Sequence, residues 1–325
     1  MVSTSLFEAV PIRFVHKASA GEVLLDGWRR TGERSALVAA KWPQAHDYYT
    51  GPDGRRHPML LIESVRQCLP LVSHAIFDVP LEHHLVWESF GCRTVPGALN
   101  ADAPRDGVEI HVHCDDVRMR GTRVAALELS LAVRRGDAEL AVAWTRFTIQ
   151  APGVYLRVRG EAASRSSAVR RPATLPPPAH PAGVGRRLES DVLLSATDRP
   201  RVWRLRVDTR HPIFFDHPVD HVPGALLLDA AFQAAHAGTQ KPGLPGLPGR
   251  PVRSVEIDCR FSQFVEIDEP CQVESQPLPN AYAGHEPVKV VIGRQGTQPD
   301  TEPAFSSVVT LDRGAQPGGA RSYSR

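Results

Sequence analysis

Residues 223–238 have the sequence PGALLLDAAFQAAHAG, and this stretch decides how the second half of the chain folds. It begins with Pro-Gly, which is typical of a helix start, and it is too long and too rich in Leu, Ala and Gln for a strand. Apolar residues fall on nearly every face of the predicted helix. Such a helix is wrapped by protein on all sides instead of lying on a surface.

The first half carries a matching stretch, PMLLIESVRQCLPLVSHAI, at residues 58–76. It is equally apolar and it also begins with proline, so we predict a second buried helix. Pro70 is expected to kink this helix or to end its regular part, because proline lacks the backbone N–H that a helix interior needs.

The two halves also agree in order and spacing. A strand-like stretch at residues 35–42 precedes the first helix, and one at residues 202–208 precedes the second. His46 lies 17 positions before Glu63, and His211 lies 18 positions before Asp229. The chain is therefore predicted to contain two copies of one module.

Stretches of alternating apolar and polar residues follow each helix and predict successive antiparallel strands. They lie at residues 108–113, 123–133 and 139–149 in the first half, and at 253–261, 270–273, 288–292 and 305–311 in the second. A buried helix wrapped by such strands is the hotdog arrangement. The predicted fold class is α+β, with two tandem hotdog domains that form a pseudo-dimer within one chain.

The domain boundaries follow from composition. Residues 160–185 lack apolar periodicity and contain three consecutive prolines from Pro176 to Pro178, which is typical of a linker. We predict a first hotdog domain at residues 1–160, a linker at 161–185, a second hotdog domain at 186–312 and a flexible tail at 313–325. A length of 325 residues suits two modules of this size.

Composition excludes several classes of protein. The 38 Lys and Arg residues against 36 Asp and Glu leave a formal charge of +2, which argues against a nucleic-acid partner. The five cysteines are widely spaced and predict neither a disulfide framework nor a zinc site. Residues 1–15 lack a signal-peptide pattern, and nowhere do about 18 apolar residues run together. We predict a cytoplasmic protein with no membrane span, no bound metal and no cofactor.

Glu63 and Arg66 are the first candidates for chemistry. They lie three residues apart and therefore on one face of an apolar helix. Burial of a carboxylate there lowers the stability of the fold unless it is paired with a cation, so an unpaired one would indicate a catalytic role. When a hydroxyl attacks a thioester, a base must take its proton and donors must stabilise the carbonyl oxygen. Glu63 is the candidate base. The alternative is that Glu63 and Arg66 form only a structural ion pair.

Other candidates lie near the two helix starts. The first amides after Pro58 or after Pro223 and Gly224 are candidate oxyanion donors, because a helix start favours negative charge. Gly224 would also let an acyl chain approach closely. Arg66 could hold a phosphate through a bidentate contact. Together the predicted catalytic residues are Glu63, Arg66 and Asp229, and the predicted substrate-binding residues are Gln67, His46, His211, His221, Gly224 and Gln233.

The histidines have structural alternatives. His46 and His211 could simply orient the loop that precedes each helix. His217 and His221 could bind a metal, but no further Cys or His set completes such a site. Hydrogen bonds to Asp216 and Asp220 that close the loop are the favoured interpretation.

Three stretches carry a resemblance to a known family. HPIFFDHPVDHVPGALLLDAAFQAA at residues 211–235 resembles the second-repeat signature of the A-factor biosynthesis family. WPQAHDYY at 42–49 and LLIESVRQ at 60–67 resemble its first-repeat signature, and Val15-His16-Lys17 is similar to its opening. The resemblance covers the chain except the linker and the residues after about 312.

The resemblance implies an enzyme that makes γ-butyrolactone signalling molecules. Such an enzyme takes a β-ketoacyl chain from acyl carrier protein and esterifies it onto dihydroxyacetone phosphate or a similar small phosphate. Members of the family place Glu and Arg in the second helix, where this chain has Asp229 and Phe232. This departure implies a different acceptor, or a single working site built on Glu63 and Arg66.

Two alternative functions remain open. One is a hotdog dehydratase or thioesterase that acts on acyl thioesters. A dehydratase of this fold needs a histidine about nine residues before the glycine of Pro-Gly, and neither His211 nor His217 has that spacing to Gly224. The other is a non-catalytic protein that binds acyl carrier protein, for which Phe232 is the main support.

Overall fold

The computed structural model describes residues 7–51, 53–101, 107–164, 174–239, 252–279, 284–296 and 301–314. Their helices are α1 (Pro58–Phe77), α2 (Pro152–Arg159) and α3 (Gly224–Gly238). The strands of the first half are β1 (Glu8–Ala9), β2 (Leu25–Gly32), β3 (Ser35–Ala40), β4 (His84–Thr94), β5 (Val108–Arg120), β6 (Arg123–Arg135) and β7 (Ala138–Gln150). Those of the second half are β8 (Leu194–Ala196), β9 (Val202–Leu205), β10 (Ser254–Phe261), β11 (Cys271–Pro277), β12 (His285–Arg294) and β13 (Phe305–Asp312).

These strands form one continuous antiparallel sheet in the order β1-β2-β3-β5-β6-β7-β4-β10-β13-β12-β11-β9-β8. The halves meet where β4 pairs with β10, with Cys92 opposite Ile257 and Phe90 opposite Cys259. Read outward from this junction, β4-β7-β6-β5-β3-β2 matches β10-β13-β12-β11-β9-β8. The predicted pair of repeated modules, each with a central helix and an antiparallel sheet, is therefore confirmed.

The alternation of apolar and polar residues determines which side of each strand faces the helix. In β5, Val108, Ile110 and Val112 are buried, while His111 and His113 between and beyond them are exposed. The apolar faces of β11, β12 and β13 pack against α3 in the same way. The period-2 pattern in the sequence thus places the core between the sheet and the two central helices.

Helix α1 is buried along most of its length. By length and composition it could cross a membrane, but 83% of its most apolar 18-residue window is buried inside the protein. Its first turn is capped by His57, whose Nδ1 accepts a hydrogen bond from the amide of Met59 at 3.3 Å. Pro70 does not end the helix, which continues to Phe77. The residues on both sides of Pro70, Leu69 and Leu71, are buried, so packing holds the helix together across the missing hydrogen bond.

Two long strands escaped sequence prediction. Strand β2 contains two arginines and two glycines, and β4 mixes charged and aromatic residues, so neither shows a clear alternation. Yet β4 is the strand that joins the two halves. Its partners β7 and β10 are distant in sequence, and pairing with them overrides its weak local preference.

The predicted linker and tail lie partly outside the described residues, namely at 165–173 and 315–325. Pro181–Val184, within the predicted linker, forms a 3-10 helix. Nearby, the amide of Ala179 donates to the carbonyl oxygen of Leu194 at 2.8 Å, and Arg206 Nε donates to the carbonyl oxygen of Pro176 at 2.8 Å. This end of the segment thus packs on the second half, and the exact domain boundaries stay a prediction.

Candidate active site

Two cavities lie where the central helices of the two halves approach each other. The first has a volume of about 900 Å³, and it is lined by the middle of α1, by the start of α3 and by loops of both halves. The second has a volume of about 890 Å³, and it is lined by the middle of α3 and by the start of α1. Each cavity therefore needs both repeats, as expected for a pseudo-dimer.

Glu63 and Arg66 lie together in the wall of the first cavity. Arg66 Nε donates to Glu63 Oε2 at 2.6 Å, and Arg66 Nη2 donates to Glu63 Oε1 at 2.8 Å. Lys17 Nζ lies 3.1 Å from Glu63 Oε1, and Gln67 Nε2 donates to the same oxygen at 2.9 Å. Glu63 is only 3% exposed, so this carboxylate holds two cations in a buried place.

Gln67 fixes the segment that carries Lys17. Its amide oxygen accepts from the backbone N–H of Leu24 at 2.9 Å, and its Nε2 donates to the carbonyl oxygen of Glu22 at 2.8 Å. Lys17 itself follows the 3-10 helix Ile12–Val15. Sequence analysis did not select Lys17, because 46 residues separate it from Glu63 and only the fold brings the two together.

The charges around Glu63 determine its protonation. Burial by itself would raise the pKa of Glu63, but the charges of Arg66 and Lys17 and the hydrogen bonds from Arg66 and Gln67 lower it to about 2. A carboxylate with so low a pKa is a weak general base at neutral pH. The contacts show that Glu63 holds Arg66 and Lys17 in the cavity wall, and its role as the general base stays a prediction.

The opposite wall of the first cavity comes from the second half. Asp216 Oδ2 lies 3.9 Å from Lys17 Nζ and accepts from the amide of Ala18 at 3.1 Å. Asp216 Oδ1 lies 2.5 Å from Nδ1 of His217, which also lines the cavity. In the same loop Asp220 Oδ1 lies 2.7 Å from Nδ1 of His221. The predicted hydrogen bonds of these two histidines are thus present, and no metal-like group of three or more His, Cys, Asp or Glu occurs among the described residues.

Asp229 occupies the corresponding place in the second half. It is fully buried, it forms an ion pair with Arg186, and it accepts from Gln233 Nε2 at 2.8 Å. Arg186 also donates to the hydroxyl of Tyr48 at 2.8 Å and lies 4.3 Å from the centre of its ring. Arg186, Tyr48 and Gln233 line the second cavity, whereas Asp229 is not among the described residues that line it.

The two clusters match residue by residue. Gln233 accepts from the amide of Leu193 and donates to the carbonyl oxygen of Asp191, each at 2.9 Å, as Gln67 does with Leu24 and Glu22. The signal was visible in the sequence as VHKASAGEVLL at residues 15–25 and VGRRLESDVLL at residues 184–194, which align Lys17 with Arg186. The clusters differ three residues after the carboxylate, where the second has Phe232 in place of Arg66.

Comparison with known proteins agrees with this repeated architecture. The A-factor biosynthesis hotdog domain matches the chain twice, at residues 2–151 and 167–317. The chain belongs to the A-factor biosynthesis hotdog family. This match over both halves confirms the predicted tandem hotdog fold.

Several related proteins match this chain in sequence over most of its length, and each is named 2-oxo-3-(phosphooxy)propyl 3-oxoalkanoate synthase. The relative from Streptomyces virginiae is 40% identical over 92% of this chain and 96% of its own. The one from Streptomyces coelicolor is 35% identical over 89% and 88%, and the one from Streptomyces griseus is 35% identical over 94% and 96%.

Solved structures of acyl thioesterases show lower similarity. A 12:0-ACP thioesterase from Umbellularia californica covers 87% of this chain and 98% of its own at 9% identity, with a TM-score of 0.45. An acyl-CoA thioesterase II from Mycobacterium marinum covers 92% and 98% at 12% identity, with a TM-score of 0.44. At these TM-scores the similarity carries no argument about function.

Some of the predicted substrate-binding residues line a cavity, and the others do not. Described residues lining the first cavity include His221 and Gly224, and those lining the second include Gln233. His46, Gln67 and His211 do not belong to either lining, and their contact with substrate stays a prediction. His46 Nδ1 accepts from the amide of Tyr48 at 3.2 Å, and His211 Nδ1 accepts from the amide of Ile213 at 3.3 Å. Both histidines thus hydrogen-bond to the loop before each helix, as the structural alternative predicts.

Gly224 lies where a larger residue would clash with an aromatic side chain, and its predicted contact with the acyl chain stays a prediction. A Cβ atom at this position would lie 2.6 Å from Cε3 of Trp87, which packs against the start of α3 in the first cavity. The glycine therefore makes room for an aromatic wall of the cavity. A role of the first α3 amides as oxyanion donors remains a prediction.

Glu63 is expected to make the stability of this family member sensitive to acid. Its pKa in the folded protein, about 2, lies below the ordinary value of 4.5, so its stabilising effect is present above pH 4.5 and is lost as the pH falls towards 2. Urea unfolding across this range should show a steeper loss of unfolding free energy for the wild type than for Glu63→Gln. An equal loss of unfolding free energy in the two proteins would contradict an ionised Glu63 that is paired with both Arg66 and Lys17.

Proposed function

We propose that this chain is a synthase that transfers a 3-oxoacyl group from the thioester of acyl carrier protein to the hydroxyl of dihydroxyacetone phosphate. The product is the ester that the names of its relatives describe. The observation that carries the proposal is the first cavity, in which the partly exposed Arg66 and the buried Lys17 are both held by Glu63 beside apolar walls from both repeats. Acyl carrier protein as the donor and a cytoplasmic location are parts of this proposal.

Arg66 is suited to the phosphate of the acceptor. Its side chain lines the cavity and is 23% exposed, while that of Lys17 is 2% exposed. A partly exposed guanidinium that a carboxylate already holds in place can bind a phosphate without a further loss of side-chain freedom. The second cavity has Phe232 at the equivalent helix position, and the arginines that line it are Arg55, Arg56, Arg186 and Arg187. Arg186 is buried against Asp229. We assign phosphate binding to the first cavity, where the partly exposed guanidinium lies on the central helix beside Glu63.

The acyl chain has an apolar surface to lie against. Helix α1, the start of α3 and strands from both halves contribute large side chains to the first cavity. They include Leu69, Leu85, Trp87, Phe147, Leu227 and Phe261. Burial of a hydrocarbon chain against such residues contributes about 0.8 kcal/mol per methylene.

Transfer also requires a group that takes the proton of the attacking hydroxyl. The hydroxyl oxygen forms a bond to the thioester carbon, the carbon–sulfur bond breaks, and the thiolate of the carrier is released and protonated. His217 lines the first cavity, and Asp216 holds its Nδ1 at 2.5 Å, which is the arrangement of a carboxylate-oriented histidine base. We therefore assign the base to His217 instead of Glu63.

The decisive experiment is an assay with purified protein, a 3-oxoacyl carrier thioester and dihydroxyacetone phosphate. We expect free carrier and phosphorylated ester to form in equal amounts, and only when the acceptor is present. Mass spectrometry of both products separates the alternatives. Free 3-oxo acid without acceptor would indicate a thioesterase, an acyl chain altered on the carrier would indicate a dehydratase, and no turnover would indicate a binding protein.

A further inference from the structure

Tyr49 carries a hydroxyl group whose role the fold does not explain. The residue is 0% exposed, it lines the first cavity, and its Oη has no hydrogen-bond partner within the described part of the chain. A buried hydroxyl without a partner is unfavourable, and most buried polar groups in folded proteins have one. A phenylalanine would avoid this loss of stability at the same place.

The second repeat shows that the ring alone satisfies the packing. Tyr49 follows His46 by three residues and Phe214 follows His211 by three. The ring centres lie 4.5 Å apart in the first pair and 4.7 Å apart in the second, with tilted geometry in both. Phe214 thus fills the equivalent position with no hydroxyl. The hydroxyl of Tyr49 is an addition in the repeat whose helix carries Glu63 and Arg66.

The surroundings of Tyr49 determine what this hydroxyl can do. Burial, with the negative charges of Glu63 and Glu22, raises the pKa of Tyr49 well above its ordinary value, although Arg66 lowers it in part. The phenol therefore keeps its proton at neutral pH and can donate a hydrogen bond. The ring is held by His46 and by Tyr48, whose ring centre lies 5.1 Å away in an edge-on arrangement.

We propose that Tyr49 binds the acceptor in the first cavity, where its hydroxyl donates a hydrogen bond to an oxygen of the phosphate held by Arg66. This inference rests on the proposed function and adds a specific donor to it. The occupant is a small phosphorylated hydroxy compound, because the cavity that Tyr49 lines is also lined by Arg66 and Lys17. Two cations and a neutral donor in one cavity suit the oxygens of a phosphate dianion. A preorganised donor of this kind also costs no side-chain ordering when the acceptor binds.

The test compares Tyr49→Phe with Tyr48→Phe. Tyr49→Phe should raise the melting temperature, since it removes an unpartnered buried hydroxyl, and it should raise the KM for dihydroxyacetone phosphate about 10-fold or more. The KM for the carrier thioester should not change. Tyr48→Phe should lower the melting temperature, because its hydroxyl accepts a hydrogen bond from Arg186, and it should leave both KM values unchanged.

Binding without turnover gives a second measurement. Inorganic phosphate and dihydroxyacetone phosphate should each stabilise the wild type against thermal unfolding, and the concentration needed should be about 10-fold higher for Tyr49→Phe. An unchanged acceptor KM, a fall in melting temperature or a change confined to kcat would overturn the role of Tyr49. A wild type that forms no ester would instead refute the proposed function, so the two failures can be distinguished.

Discussion

Glu63→Gln is expected to lower kcat/KM for ester formation by about 100-fold, the scale of loss that follows when groups in a site are misplaced by an ångström or so. Glu63 orients Arg66 through two hydrogen bonds and holds Lys17 at 3.1 Å. Glutamine has nearly the same shape but no charge, so both cations lose the partner that fixes them. The effect is measured as the rate of carrier release at saturating and at limiting concentrations of the acceptor.

The matched control for Glu63→Gln is Asp229→Asn. Asp229 occupies the equivalent position on α3, but it lies outside the lining of the first cavity. We expect folded Asp229→Asn protein to keep kcat/KM within about threefold of the wild type while it loses stability. If the two substitutions lowered kcat/KM equally, the proposal of a single working site on Glu63 and Arg66 would be wrong.

Arg186→Met is expected to lower the free energy of unfolding by about 3–5 kcal/mol, which is the loss seen when one partner of a buried ion pair is removed. Asp229 is 0% exposed, and Arg186 is the cation paired with it, with His57 Nε2 further away at 3.9 Å. In the wild type, burial and the charge of Arg186 keep the pKa of His57 well below its ordinary value, so Arg186 is the charge that balances Asp229. Urea unfolding at neutral pH measures the loss.

Two further variants make the prediction for Arg186 specific. Arg187→Met removes a neighbouring arginine whose partner Asp47 is exposed, so its effect should stay within about 1 kcal/mol. The double variant Arg186→Met with Asp229→Leu replaces the whole buried pair by apolar groups and should recover most of the lost stability. A double variant no more stable than Arg186→Met would show that the ion pair is not the cause of the loss.

The contrast between the two clusters explains why one fold has two different cavities. Both repeats keep a buried carboxylate, a cation from the preceding segment and a glutamine that ties the two together. This set, Lys17, Glu63 and Gln67 in one repeat and Arg186, Asp229 and Gln233 in the other, is a structural unit of the module. In the first repeat, the additional cation Arg66 makes this unit a candidate phosphate site. In the second repeat, Phe232 stands at that position, and the unit is only an ion pair.

Sequence analysis found the residues whose spacing lies within one helix. Glu63, Arg66 and Gln67 are three or four residues apart, and helical geometry places such residues on one face before any tertiary contact is known. Asp216 was predicted only as a hydrogen-bond partner within its own loop, and Lys17 and Tyr49 were not predicted as site residues. Their positions relative to Glu63 depend on how loops of both halves meet α1. It also assigned substrate contact to His46 and His211, whose hydrogen bonds to their own loops are visible only in three dimensions.

The sequence by itself determined the two repeats, their central helices, most strands and the buried carboxylates, since all of these follow from apolar periodicity and short-range spacing. The tertiary structure decided the pairing of β4 with β10, the protonation of Glu63 and the separation of the two cavities. These features depend on burial and on charges that long-range folding brings within a few ångströms of each other. Electrostatic energies change steeply with distance and solvent exposure, and neither quantity is encoded in any single segment of the chain.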